Sequence, residues 1–192
     1  SASTCETWRI IGVFDGKLKL IRNESIGNYS WDNKNKSTGA ESNYGKNDWT
    51  TARLMKLLNP SNYYINDNND KDSEGNYLGY SLYYNSAPGK CYSGQNNATV
   101  DCDFTSTGIK NDETRNMIAE TTWNIGGWNS SSVYPNQIYE YERGTTTPWT
   151  GKIALAYPSD YGYAADLNQC KDKTLYDYEN STCTSNNWMK SI

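Results

Sequence analysis

The chain has 192 residues, a formal net charge of −4, a mean hydropathy of −0.90 and 35% hydrophobic residues. Its 17 tyrosines and 7 tryptophans argue against a disordered chain, because disordered sequences are poor in aromatic residues. Acidic and basic residues are interspersed without a basic stripe, which argues against nucleic acid as a partner. No apolar run approaches the roughly 20 residues that span a bilayer, so we expect no membrane contact from this segment.

Histidine is absent from the sequence. Its absence removes the commonest general base and the commonest zinc ligand, so this chain cannot supply a Ser-His-Asp or a Cys-His catalytic set. Catalysis by carboxylates alone remains the alternative. However, no pair of acidic residues lies in an apolar stretch that would separate two pKa values. We therefore expect a protein that is not an enzyme.

The first predicted element is a β-hairpin from Trp8 to Arg22. Asp15-Gly16 separates two β-rich runs, which is a strong hairpin signal. Lysine and leucine alternate from Lys17 to Leu20, which predicts one buried and one solvated face.

Two helices are predicted. The apolar residues from Trp49 to Leu58 fall near helical spacing, and Thr50 or Thr51 is the expected N-cap. The second helix is predicted over Asp112 to Asn124, where two acidic residues occupy the first turn and favour the helix dipole.

Strands are predicted at Leu78 to Tyr84, at Ile138 to Glu142 and at the apolar run Ile153 to Ala156. The last of these is expected to be buried, and Pro158 ends its pairing because proline has no backbone N–H. One of the two polar residues after Pro158 then caps a short helix. Two helices among short, hairpin-linked strands predict an α+β fold with short antiparallel strands in a single domain, 1–192.

Five cysteines are present: Cys5, Cys91, Cys102, Cys170 and Cys183. The second and third flank a polar loop, as do the fourth and fifth, which favours two local disulfides in an oxidising compartment. Four cysteines allow three connectivities, and reduced buried thiols are a further alternative. Cys5 is left without a local partner, and its partner is expected outside this chain.

The stretch from Asn66 to Asn76 is dense in carboxylate and amide oxygens, the ligands that calcium prefers. Asp67, Asn69, Asp70 and Asp72 are weak candidate ligands. The spacing does not match an EF-hand loop, and a solvated loop tip without any cofactor is the favoured interpretation.

Candidate ligand-binding residues lie in the longest aromatic loop. Aromatic faces stack on sugar rings while neighbouring polar side chains bind hydroxyl groups, which points to Trp128, Tyr134, Tyr139 and Trp149. For any one of them, packing in the core of the protein is the competing interpretation.

Four motifs together resemble one protein family. They are W-R-I-I-G-V-F-D-G-K-L-K-L-I-R, D-W-T-T-A-R-L-M-K-L-L-N-P, S-L-Y-Y-N with the C-Y-S-G and C-D-F-T-S-T-G that follow it, and G-K-I-A-L-A-Y-P-S-D-Y-G-Y-A. The family is a module of unknown function (the DUF6273 type) in surface and pilin-like proteins of Gram-positive and related gut bacteria. More remotely, the last motif is similar to the C-type-lectin-like fold of formylglycine-generating enzymes. The resemblance implies that fold, with long loops stapled by local disulfides.

Departures from the family pattern also shape the expectations. Members carry another cysteine upstream and continue into further strands at the carboxyl end. The chain is therefore expected to be a fragment truncated at both ends, or to receive strands from another polypeptide.

The leading functional hypothesis is an extracellular adhesion module of a bacterial surface protein that binds a glycan or a host protein. The alternative is a structural subunit of a pilus, filament or surface layer, whose partners are copies of itself.

Overall fold

A computed structural model describes residues 5–32, 45–60, 81–85, 89–91, 100–127, 130–144, 147–180 and 182–191. Within these ranges the strands form two-stranded sheets, β1–β2, β3–β4 and β5–β6, and the first two are antiparallel. In chain order the elements are β1 (Trp8–Phe14), β2 (Lys17–Arg22), α1 (Arg53–Leu58), α2 (Ser81–Tyr84), β3 (Gly89–Cys91), β4 (Val100–Cys102), α3 (Asp112–Met117), β5 (Thr121–Asn124), α4 (Pro135–Gly144), β6 (Pro148–Gly151), α5 (Pro158–Tyr163), α6 (Leu167–Cys170), a 3₁₀ helix (Leu175–Asn180), α7 (Thr182–Ser185) and a second 3₁₀ helix (Trp188–Ser191). The predicted mixture of helices with small antiparallel sheets is confirmed.

The described residues group into two compact units. Cys5, Ile26–Trp123 and Trp149–Ala154 contribute to the first unit, and Glu6–Ser25, Asn124–Pro148 and Leu155–Ile192 contribute to the second.

The core of the first unit is built around α1, in which every residue is buried. The predicted core helix is therefore confirmed, but its predicted cap is wrong. The N-cap is Ala52, whose side chain offers no cap. The carboxylate of Asp48 instead accepts hydrogen bonds from the backbone N–H and the hydroxyl of Thr50, at 3.0 and 2.6 Å.

Asn59 follows α1 and links it to the segment after β6. Its side-chain amide donates to the carbonyls of Met55 and Ile153, and its carbonyl accepts from the backbone N–H groups of Lys152 and Ile153. The strand predicted at Ile153 to Ala156 is wrong, because the strand in this region, β6, ends at Gly151. An asparagine side chain satisfies the backbone groups there that a neighbouring strand would otherwise satisfy.

The hairpin of the second unit turns where the sequence predicts. Asp15 and Gly16 both have positive φ, 51° and 77°, as a two-residue hairpin turn of type I′ requires. The predicted alternation of faces is present, but the expected polarity is reversed. Leu18 and Leu20 are exposed, whereas Lys19 is partly buried and forms an ion pair with Asp160 at 2.5 Å.

The core of the second unit is formed by Ala165, Tyr178 and the disulfide Cys170–Cys183, all buried. The Tyr178 hydroxyl lies 3.1 Å from the carbonyl of Gly162 and 3.3 Å from that of Cys170, which ties the 3₁₀ helix to α5 and α6. This disulfide confirms one predicted pair. The side chains of Cys91 and Cys102 lie outside the described part of the chain.

Three other predicted elements differ from the structure. Ile138 to Glu142 is wrong as a strand, because it lies inside α4, which begins with a proline and buries residues three and four apart. The helix predicted over Asp112 to Asn124 ends at Met117, and the β-branched pair after it starts β5. Within the described residues of Leu78 to Tyr84, Ser81–Tyr84 is helical.

Candidate functional site

The structure describes three of the four predicted ligand-binding residues. Trp149 belongs to the first unit, is 7% exposed and packs edge-on against Trp49 with ring centres 5.7 Å apart. This burial makes Trp149 a core residue that offers no accessible ring face to a ligand. Tyr134 and Tyr139 belong to the second unit, and Trp128 lies outside the described residues.

Tyr134 lines a shallow cleft of about 400 Å³ that we call the tyrosine groove. Its aromatic walls are Tyr134 and Tyr163, which are 41% and 44% exposed. The remaining lining residues are Pro135, Asn136, Leu167, Lys171 and Asp172. The groove therefore combines accessible ring faces with an amide, an ammonium and a carboxylate.

Tyr139 contacts a residue of the groove but does not line it. Its ring meets that of Tyr163 edge to face, with centres 6.1 Å apart and an interplanar angle of 90°. The guanidinium of Arg143 lies 6.0 Å from the Tyr139 ring centre. Burial raises the pKa of Tyr163, and the neighbouring Tyr139 and Glu140 raise it further. Tyr163 is thus a neutral phenol that can both donate and accept a hydrogen bond.

The start of α4 is fixed by a local signal that the sequence contains. Pro135 occupies the first helical position. The Gln137 side chain, three residues after Tyr134, accepts a hydrogen bond from the Tyr134 backbone N–H at 3.0 Å. These contacts place Tyr134 directly before the first turn of α4, where it lines the groove.

A buried polar cluster holds α4 against α5. The Glu142 carboxylate accepts hydrogen bonds from the backbone N–H (3.1 Å) and the hydroxyl of Ser159. Asp160 accepts from the Tyr157 backbone N–H at 2.7 Å and from Lys19 at 2.5 Å. Lys19 also lies 4.0 Å from the centre of the Tyr157 ring. Each of the two carboxylates is committed to the start of α5, so the cluster positions the helix that carries Tyr163.

Burial governs the electrostatics of this cluster. It raises the pKa of Glu142, although the hydrogen bonds from Ser159 act in the opposite direction. It also raises the pKa of Tyr157 to about 12, and the nearby carboxylates of Glu142 and Asp160 add to that effect.

Close backbone packing brings α5 to the groove. A Cβ at Gly162 would lie 3.0 Å from Pro135 and 3.1 Å from Leu175. A side chain at this position would require Pro135 or Leu175 to move by a few tenths of an ångström. The contact places Tyr163 beside Tyr134.

Several residues of the groove were not among those predicted from the sequence. They are Tyr163, Leu167, Asn136, Lys171 and Asp172. Tyr163 follows Pro158 at the end of a short predicted helix, so its element was predictable. Its proximity to Tyr134 depends on the packing of α4 against α5, and no periodicity in the sequence encodes that packing.

The described residues hold no group of three or more histidine, cysteine or acidic side chains arranged to bind a metal ion. The candidate calcium ligands Asp67, Asn69, Asp70 and Asp72 lie outside those residues.

Cys5 is exposed and has no disulfide partner in the described part of the chain. No described helix has the length and apolar character needed to cross a membrane.

No protein-family model matches this chain, and neither a curated protein nor a solved structure matches it.

Proposed function

We propose that this chain is a non-catalytic binding module that holds a carbohydrate in the tyrosine groove. The observation that carries the proposal is the pair of accessible rings, Tyr134 and Tyr163, in one cleft. Aromatic rings offer apolar faces to the C–H surfaces of a sugar and a hydroxyl group at their edge.

The polar groups of the groove support a sugar rather than a purely apolar ligand. Asn136 can donate and accept, Lys171 donates and Asp172 accepts, which together meet the mixed character of sugar hydroxyl groups. Ring faces with a few convergent polar groups are the usual composition of small-ligand sites.

The location we propose is the extracellular face of a bacterial surface or pilin-like protein. The Cys170–Cys183 disulfide supports it, because such bonds persist in oxidising compartments. The C-type-lectin-like fold is part of the same proposal and rests on the sequence resemblance.

The supporting role of the acidic residues favours binding over catalysis. Glu142 and Asp160 are buried, and their oxygens accept hydrogen bonds from Ser159, Tyr157 and Lys19. These contacts give both carboxylates a role in positioning α5, the helix that carries Tyr163.

The proposal is tested with a panel of immobilised glycans and the oxidised, folded protein. We expect the native chain to bind at least one glycan and Tyr163→Ala to weaken that binding about tenfold, equivalent to about 1.4 kcal/mol. Tyr176→Ala is the matched control, because Tyr176 is an exposed tyrosine of the same unit that does not line the groove. If Tyr176→Ala and Tyr163→Ala weaken binding equally, the groove is not the binding site.

The alternative function, a structural subunit of a pilus or surface layer, gives a different result. Native protein that is folded, binds no glycan on the panel and forms filaments would favour that alternative over the carbohydrate module.

A further inference from the structure

Two oppositely charged side chains that are far apart in the sequence meet within the second unit. The ammonium of Lys19 on β2 lies 2.5 Å from Oδ2 of Asp160 in the first turn of α5. The two side chains are 12% and 4% exposed. The rings of Tyr157 and Phe14 have their centres 4.0 and 5.5 Å from the ammonium nitrogen. The pair is therefore largely shielded from water, unlike an ordinary ion pair on a protein surface.

A third charged group lies beside this pair. The Glu142 carboxylate accepts hydrogen bonds from the backbone N–H and the hydroxyl of Ser159, the residue before Asp160. Burial raises the pKa of Glu142, while the charge of Asp160 raises it further and that of Lys19 lowers it. A carboxyl group with a raised pKa takes up and releases a proton closer to neutral pH than an ordinary carboxyl group does.

We propose that Lys19 and Asp160 become joined by an intramolecular amide bond between Nζ and Cγ, with Glu142 as the carrier of the transferred proton. The bond ties β2 to α5 across a sequence separation of 141 residues. Its site shares no residue with the tyrosine groove. The reaction occurs once in each chain and acts on no other molecule, so it is compatible with a binding module that is not an enzyme.

The reaction balances without an added reagent. Transfer of one proton from Lys19 to the Asp160 carboxylate gives a neutral amine and a carboxylic acid. The lone pair of Nζ then attacks Cγ, and Glu142 accepts the second proton that the nitrogen loses. The bond from Cγ to the hydroxyl oxygen breaks, Glu142 returns its proton to that oxygen, and one water leaves.

The surroundings of the pair favour this condensation. Because the amine and the carboxyl group are already in contact, their effective concentration is far above that of two groups free in solution. The Tyr157 backbone N–H donates to Oδ2 of Asp160 at 2.7 Å, which polarises the carboxyl group toward attack. Burial of both side chains limits the access of water that would hydrolyse the product.

The test is the intact mass of the full chain, purified in its folded state and then reduced and denatured. We expect a mass below that of the sequence by one water, about 18 Da. Trypsin should then release a branched peptide that joins Leu18–Arg22 to Ile153–Lys171, because trypsin does not cleave after a lysine whose amine is an amide.

Two variants test the individual groups. Lys19→Arg keeps a positive charge beside Asp160, and Glu142→Gln keeps an acceptor for Ser159. Both should show the native circular dichroism spectrum, retain the full sequence mass and melt on the order of 10 °C below the native chain. Glu140→Gln is the matched control, because it removes the same charge at an exposed position of α4, and it should lose water as the native chain does.

Three outcomes would overturn the proposal. A folded native chain with the full sequence mass contains no such bond. A loss of water that maps to Asp15-Gly16, where an aspartyl-glycine pair can cyclise, would place the modification elsewhere. Complete formation of the branched peptide in Glu142→Gln, at the native rate, would remove Glu142 from the reaction.

Discussion

At the scale of single residues, Asn59 has a role that its position in the sequence does not reveal. It is fully buried, and its amide forms four hydrogen bonds with three backbone residues on two segments of the chain. No other neutral side chain presents two donors and two acceptor positions in so small a volume, apart from the longer glutamine.

Asn59→Ala should therefore destabilise the protein by about 3 kcal/mol or more, because it leaves several buried backbone groups unpaired. Chemical denaturation measures the change in the free energy of unfolding. Asn28→Ala, at an exposed position of the same unit, is the control and should change that free energy by less than about 0.5 kcal/mol. A small change in the free energy of unfolding at both positions would mean that the Asn59 hydrogen bonds contribute little to stability.

The raised pKa of Glu142 predicts that the free energy of unfolding depends on pH. Burial raises the pKa of its carboxyl above the ordinary value of 4.5, so the folded protein holds this proton more tightly than the unfolded chain does. The stabilisation from this group is therefore present below about pH 4.5 and is lost as pH rises through the raised pKa. Glu142→Gln removes the titration while retaining an acceptor for the Ser159 backbone N–H.

The measurement is the free energy of unfolding of the native protein minus that of Glu142→Gln, between about pH 4 and pH 7. We expect this difference to decrease as pH rises. Glu140→Gln removes the same charge from the exposed side of α4 and reports the effect of net charge alone. A difference that increases with pH would reverse the sign of the effect and contradict the assignment.

At the scale of elements, the close approach of α5 to the start of α4 depends on Gly162. Gly162→Ala would place a methyl group within 3.0 Å of Pro135. We expect it to destabilise the protein by about 1 kcal/mol after the gain in helix propensity is included. The variant should also weaken ligand binding, because Pro135 lines the groove.

Gly144→Ala is the matched control on a helix, because a Cβ there meets no atom within 4 Å. It should be neutral or stabilise the protein by up to about 1 kcal/mol. If Gly162→Ala is as stable as Gly144→Ala, the close contact of the two helices does not restrict this position.

Elements defined by local signals were predictable from the sequence, and elements defined by packing were not. Asp15-Gly16 selects its turn by backbone conformation alone, and the apolar spacing of Leu54, Leu57 and Leu58 selects α1. The faces of the hairpin were not predictable, because an ion pair to Asp160 holds Lys19 on the partly buried face against its hydropathy.

The candidate site was predictable only in part. Tyr134 and Tyr139 were selected because tyrosines cluster in one stretch, and the structure places them beside a common partner, Tyr163. Trp149 was selected by the same reasoning, yet it is buried against Trp49. Composition identifies aromatic residues but does not distinguish a ring in a groove from one in a core.

At the scale of the whole molecule, the Cys170–Cys183 disulfide closes a short loop around the core of the second unit, at a sequence separation of 13. Its loss should lower the free energy of unfolding by about 3 kcal/mol in the chain-entropy description. The double variant Cys170→Ala, Cys183→Ala tests this by thermal or chemical denaturation. Cys5→Ala is the control, because Cys5 is exposed and should be neutral. Equal stability of the two proteins would contradict a stabilising role for the bond.

The most direct test of the carbohydrate-binding groove is an NMR titration with the strongest glycan from the panel, observed through the tyrosine rings. We expect the ring resonances of Tyr134 and Tyr163 to shift along one saturable binding curve, while those of Tyr176 stay in place. Tyr163→Ala should move the Tyr134 curve to glycan concentrations about tenfold higher. A glycan that saturates the protein without moving either groove tyrosine would contradict the account, as would folded native protein that binds no glycan.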